Sequence, residues 1–279
     1  MGSFGLIRGK GKPVLRFLAA IVVLLCVVPA WSVAGDGPGS PASKADDTSP
    51  VSAAVDTATV SAPSGPIIVF GFLGGYVRAD DTAHTTVQVA RSLRKDYPVG
   101  VRIETFENHH VGDAYGWIKY LLGGGRSGTL TEEQKRAARI ILYGHSWGAS
   151  AAVTLARTLQ KEGIPVLMTI QVDSVSRSGQ NDAVIPDNVR YAANFYQEKG
   201  FVHGQQKIQA ADASHTQILG NFRMDYTKNP VSCQDYPWYT RAIMRSHIEI
   251  ECDPRVWQRV EDLIREKLPT PVAKSSNTP

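Results

Sequence analysis

Short apolar runs alternate with helix-spaced apolar residues through the middle of the chain. Ile67 to Phe70 is an unbroken apolar run of strand length, Thr85 to Leu93 repeats apolar positions at helical spacing, and Val99 to Thr105 alternates like a strand. Ala114 to Leu122 reads as a helix and Gly123 to Gly128 as a loop. Thr131, with Gln134 three positions on, makes the capping-box pattern of a short helix. Ile140 to Tyr143 is too short for a helix, whereas Trp147 to Lys161 sets Val153, Leu155 and Leu159 on one helical side. Pro165 to Val172, Val189 to Tyr196 and Gln206 to Ala210 are strand-like, and Val256 to Leu268 is a closing amphipathic helix. Asn221 to Met244 carries Phe222, Tyr226, Tyr236, Trp238 and Tyr239 without clear periodicity. The repeated strand, helix, strand order predicts an α/β fold: a mostly parallel central sheet flanked by helices, in one domain with at most a small lid.

The ends of the chain follow neither period. Residues 35–66 are dominated by Gly, Pro, Ser, Ala, Asp and Thr and read as a solvated linker, and residues 269–279 share that character. Met1 to Ala34 combines Arg8, Lys10, Lys12 and Arg16 with the apolar run Phe17 to Ala34, the pattern of an export signal with Ser32-Val33-Ala34 as its cleavage site. The run is about as long as a short membrane span, so an uncleaved membrane tether is the alternative. The formal charge of +4, from 30 basic and 26 acidic residues, resides entirely in that leader. Without it the chain is neutral and has no electrostatic footprint for nucleic acid. With 43% hydrophobic residues it is not a disordered chain. A secreted or periplasmic location follows, and there Cys233 and Cys252 form an even pair expected to be disulfide-bonded, the alternative being two buried thiols.

One pattern carries chemistry. Gly144-His145-Ser146-Trp147-Gly148 falls between the apolar run Ile140 to Tyr143 and the small-residue start Ala149-Ser150-Ala151-Ala152. This is the G-x-S-x-G form of a nucleophile elbow, in which a sharp strand-to-helix turn lifts the serine hydroxyl above the sheet. Gly144 and Gly148 lack the side chains that would collide there. Ser146 then needs a base, and the base needs an acid. Asp173, at the end of the next strand, is the candidate acid, with Asp212 its rival; His247, in the last loop before the closing helix, is the candidate base, with His215 its rival. His203 precedes a predicted strand and so falls at its wrong end. The developing oxyanion calls for the backbone N–H of Trp147 and one from the loop Gly71 to Gly75, with Phe72 the candidate. His109-His110, with Asp113 nearby, reads as a strand pair pointing to opposite faces, so no metal is assigned, and the chemistry calls for no cofactor.

With these residues in place the chain resembles the α/β-hydrolase superfamily, especially its secreted lipase- and esterase-like members, over Ile67 to Leu268. The resemblance implies a Ser146, Asp173, His247 triad, an oxyanion hole from Phe72 and Trp147, and a small-molecule or lipid ester as substrate. Two positions depart from the common lipase pattern: Phe70-Gly71 stands where His-Gly is frequent, and the acid follows the strand directly after the nucleophile. Thioesterase and peptidase activities use the same machinery. A non-catalytic binding protein using Phe222 to Tyr239 as its contact surface is the reading from a different class.

Overall fold

Seven nearly unbroken apolar residues, Ile67–Leu73, make strand β1, buried along its whole length. A computed structural model describes residues 65–125 and 128–270. The expected leader (1–34), residues 35–64 of the expected linker and residues 271–279 of the expected tail lie outside the described residues. The chain divides into Met1–Ala62 and Pro63–Pro279, and every element named below belongs to the second unit. After β1 come α1 (Thr85–Asp96), β2 (Val101–Glu107), α2 (Val111–Lys119), α3 (Glu132–Arg136), β3 (Arg139–His145), α4 (Trp147–Lys161) and β4 (Val166–Val172). There follow β5 (Val184–Ile185), β6 (Val189–Tyr196), β7 (Gln209–Ala210), β8 (Gln217–Arg223), α5 (Trp238–Ile243), α6 (Arg245–Cys252) and α7 (Pro254–Arg265).

Six strands form one sheet in the order β2-β1-β3-β4-β6-β8, and every pair is parallel. β5 and β7 pair separately. Parallel strands need covering on both faces, and the alternation along each strand feeds two cores. Ile68, Phe70, Ile140 and Leu142 pack with Ile118 of α2 and Leu155 and Leu159 of α4. Val69, Ile141 and Tyr143 point the other way, onto Val89 and Leu93 of α1 and Trp257, Val260 and Ile264 of α7. Each such burial contributes about 1.5–3 kcal/mol. Loss of either helical layer therefore exceeds the net stability of a domain, which is about 5–15 kcal/mol.

Local signals set the ends of the elements. Thr131 and Gln134 exchange the two capping-box hydrogen bonds at the start of α3, as their spacing predicts. Asp253 caps α7, with Pro254 at its first turn. The helix expected over Ala114 to Leu122 begins earlier, at Val111, and gives way after Lys119 to a wider π-turn, Tyr120–Gly124, in which Gly123 has φ 94°. Strand β8 escapes periodicity because it lies at the sheet edge, mostly half-buried and with Gly220 in its middle. The expected strand Gln206 to Ala210 shrinks to two residues.

From β1 the chain steps outward to β2 and returns across β1 to β3, so the direction of winding reverses between β1 and β3. In open parallel sheets the crevice beyond the carboxyl ends of the strands at such a reversal is where ligands bind. Leu73 and His145 end the two strands that flank it.

Candidate active site

β3 ends at His145 and α4 begins at Trp147, which leaves Ser146 alone to make the turn, at φ 56° and ψ −127°. Among the described residues only Ser146 and Asp173 are non-glycine residues with positive φ. Such conformations cost about 1–3 kcal/mol each and persist where the surroundings enforce them. Here the neighbouring strand does so: Ser146 N–H donates to the Val172 carbonyl at 3.0 Å, and Val175 N–H donates to the Ser146 carbonyl at 3.3 Å. The flanking glycines are sterically required, since a Cβ on Gly148 would sit 2.0 Å from the Phe72 carbonyl oxygen and one on Gly144 2.6 Å from the Gly148 carbonyl carbon. Trp147 is the first helical residue, so its N–H has no intrahelical acceptor and remains available to an anion.

The β3–β4 register pairs His145 with Val172, which places Ser146 and Asp173 level on adjacent strands. Asp173 is fully buried. Its Oδ2 accepts from Gln197 Nε2 at 2.9 Å and lies 2.7 Å from His247 Nδ1. Its Oδ1 accepts from Gly204 N–H at 2.8 Å and, more weakly, from Gln197 N–H at 3.4 Å. His247 Nε2 lies 2.9 Å from Ser146 Oγ. Burial pushes the Asp173 carboxyl upward, but the His247 bond and charge, with Gln197 and Gly204, outweigh it and leave the group below the usual carboxylate range. Burial pushes His247 below its ordinary value of 6.5, against the bond to Asp173, and the neighbouring His145 adds to the depression. Acid, imidazole and hydroxyl thus form one buried hydrogen-bonded line.

His247 sits on α6, not in a loop as the sequence suggests. Residues 247–251 are buried without exception, so the segment shows no amphipathic stripe by which a helix is recognised. Phe72, expected in the oxyanion loop, is the penultimate residue of β1, and its side chain is buried in the core. The glycine that lies against Ser146 is Gly74, where a Cβ would stand 2.8 Å from Ser146 Cβ. Outside the line, the Trp147 indole carries the Arg177 guanidinium 4.5 Å above it and the edge of Tyr76 at 5.6 Å. Arg177 also donates to the Asn108 amide oxygen.

The rival residues are elsewhere. Asp212 and His215 bond each other at 2.9 Å on the surface, and Asp212 follows a two-residue strand of the small sheet. His203 is not part of the line, but the next residue is: a Cβ on Gly204 would stand 2.2 Å from the Asp173 carbonyl carbon. Gln197 and Gly204 were not singled out from the sequence, and only the His-Gly pair at 203–204 hints at them. Phe222 stacks on Phe195 at 4.9 Å and Tyr226 is buried against Asp253, so the aromatic segment serves largely as packing, with Trp238 exposed. His109 and His110 lie in the turn after β2 rather than in a strand, and their rings meet at 4.4 Å instead of facing apart. With Glu107 they form the group among the described residues whose ligand atoms lie within 4.8 Å of one another, two of the three exposed.

Cys233 and Cys252 are disulfide-bonded, with Cα atoms 5.7 Å apart. The bridge ties the end of α6 to the segment before α5. Replacing both cysteines with serine is expected to lower stability by roughly 3 kcal/mol on the loop-entropy account. Urea unfolding of the two forms without reductant measures it, and equal midpoints would count against the bridge as a constraint.

No protein-family model matches the chain, and no curated protein matches it. Solved structures similar to it include RedJ with a polyethylene glycol molecule bound in its active site, at 10% sequence identity and a TM-score of 0.42, over 79% of this chain and 96% of that one. No described helix is long and apolar enough to cross a membrane.

Proposed function

We propose that the chain is a serine hydrolase of the α/β-hydrolase type that cleaves ester-type acyl bonds through an acyl-enzyme on Ser146. The observation that carries this reading is the buried line from Ser146 Oγ to His247 Nε2 at 2.9 Å and from His247 Nδ1 to Asp173 Oδ2 at 2.7 Å. It starts from a strained serine at the sheet's reversal point. A structural turn has no use for that combination.

In the reaction, Ser146 Oγ attacks the carbonyl carbon while His247 Nε2 takes its proton. Asp173 holds the resulting imidazolium, and the Trp147 N–H, with a second backbone amide from the end of β1 between Phe72 and Gly74, receives the oxyanion. His247 returns the proton to the leaving oxygen. Water then repeats the sequence on the acyl-enzyme and frees Ser146. The Tyr76, Trp147 and Arg177 rim offers apolar rings and one cation to the substrate. The disulfide supports an exported location.

A fluorophosphonate probe tests the reading. Folded protein is expected to carry a single adduct on Ser146, and an unreactive serine would refute the assignment. A chain-length series of nitrophenyl esters, run beside a thioester and a peptide, then fixes the acyl class. The pH profile gives a further check. His247 acts as a base only when neutral, and burial disfavours its charged form, so the acid limb of kcat/KM is expected to have its midpoint below 6.5. A midpoint above 7 would mean that another group limits the reaction.

A further inference from the structure

A second carboxylate–imidazole pair lies against the first. Glu251 is one helical turn beyond His247 on α6 and is buried. Its Oε2 lies 2.7 Å from His145 Nδ1, and its Oε1 lies 2.7 Å from His84 Nδ1. The Tyr236 hydroxyl is 2.8 Å from the same His84 nitrogen, and Thr85 Oγ1 donates to the Glu251 carbonyl at 2.7 Å. The His145 ring lies 4.6 Å from that of His247, inclined by 33°. Neither ring nitrogen of His145 makes a hydrogen bond of good geometry, so the ring meets Glu251 as a close ion-pair contact on one side and the face of His247 on another.

We propose that Glu251 is a positioning residue for His247: its carboxylate holds His145 as a plate against the base and supplies a fixed negative charge that favours the imidazolium formed during acyl transfer. The role rests on the reading of Ser146, His247 and Asp173 given above. Burying a carboxylate is costly, and apolar residues would fill the same space more cheaply if filling were all that was needed. Burial pushes Glu251 upward, but His145 and His84 outweigh it and hold the carboxyl well below its ordinary value, so it is ionised at neutral pH.

The charges around the base fix the sign of the test. His247 is faced by Asp173 from the end of β4, Ser146 from the elbow, His145 from β3 and Glu251 from its own helix. Glu251 is faced by His145 from β3, His84 from the start of α1 and Tyr236 from the segment before α5, with the charge of Asp81 reaching both His84 and Tyr236. Glu251→Gln keeps the volume and removes the anion, so the His247 imidazolium loses an attractive partner. The acid limb of the labelling rate then moves to lower pH by about half to one pH unit. At its plateau the rate of fluorophosphonate reaction falls about 10-fold.

His84→Gln removes a cation beside the same carboxylate, leaving more of its charge acting on His145 and His247. The limb then moves to higher pH. A merely structural cross-link would lower the labelled fraction in both variants and leave the midpoint in place. The titration of the His247 ring in the full-length protein, followed by NMR without probe, separates the two claims. Opposite shifts support the role of Glu251, whereas equal midpoints or shifts of one sign overturn it, whether or not the probe reacts. A wild-type protein that resists the probe overturns the hydrolase reading alone. If Glu251→Gln does not fold, His84→Gln decides: an upward shift supports the proposal and an unchanged midpoint refutes it.

Discussion

Ser146→Ala is expected to lower ester hydrolysis by at least about 10⁴-fold and to abolish fluorophosphonate labelling, while the protein stays folded. In the proposed reaction the hydroxyl is the attacking atom, and no other serine or threonine hydrogen-bonds His247 Nε2 among the described residues. Alanine keeps the Cβ that packs against Gly74, and the turn at φ 56° is enforced by backbone bonds to Val172 and Val175 that do not involve the side chain. What the variant loses structurally is one partner for a buried imidazole nitrogen, a cost of about 1–3 kcal/mol. For a domain of this size that is a thermal midpoint lower by a few degrees. Circular dichroism and a nitrophenyl ester assay measure the two effects. Activity within 10-fold of wild type would remove Ser146 from the mechanism.

Asp173→Asn is expected to fail on both counts. Each carboxylate oxygen of Asp173 faces two donors: Oδ2 meets His247 Nδ1 and Gln197 Nε2, and Oδ1 meets the N–H groups of Gly204 and Gln197. Whichever way an amide is turned, its NH2 opposes donors. The two backbone N–H groups cannot reverse, and the Gln197 amide is held by the Val202 carbonyl and the Lys199 N–H, whereas His247 can change tautomer. The NH2 therefore settles towards His247, whose Nδ1 must then accept and whose Nε2 carries the proton. In that form it cannot take the proton of Ser146. The expected loss in kcat/KM is about 10⁴-fold, the size that follows when a base is held in the wrong tautomer. Stability falls by about 2–4 kcal/mol, because a buried ionic acceptor is replaced by a group that leaves donors unmatched. Urea unfolding and initial rates test it. A variant retaining a tenth of wild-type kcat/KM would place the acid elsewhere.

The sheet and the elbow are legible in the sequence because local rules decide them. Buried parallel strands such as Ile67–Leu73 are continuous apolar runs, and a serine between two glycines at a strand-to-helix junction leaves little freedom in how the chain turns. Asp173 is legible for a related reason, since level strand ends in a parallel register bring the residue after β4 beside the residue after β3. The supports are not legible. Gln197 and Gly204 reach Asp173 from the segment after β6, and His84 reaches Glu251 across most of the domain. Nothing in the spacing of such residues foretells the meeting. α6 hides itself in another way, because Ser-His-Ile-Glu-Ile-Glu alternates polar and apolar like a strand, although both kinds are buried in a helix.

The order in which the chain delivers these groups sets when the hydrogen-bonded line can close. Ser146 and Asp173 follow neighbouring strands, whereas His247 enters on α6, 74 positions after Asp173. A chain emerging amino end first pairs β1, β3 and β4 while His247 and the cysteine that anchors its helix have yet to appear. Until then Ser146 has no imidazole beside it. The line from Ser146 to Asp173 is thus completed only near the end of the domain, and a chain interrupted before α6 holds the serine and the carboxylate without the imidazole between them.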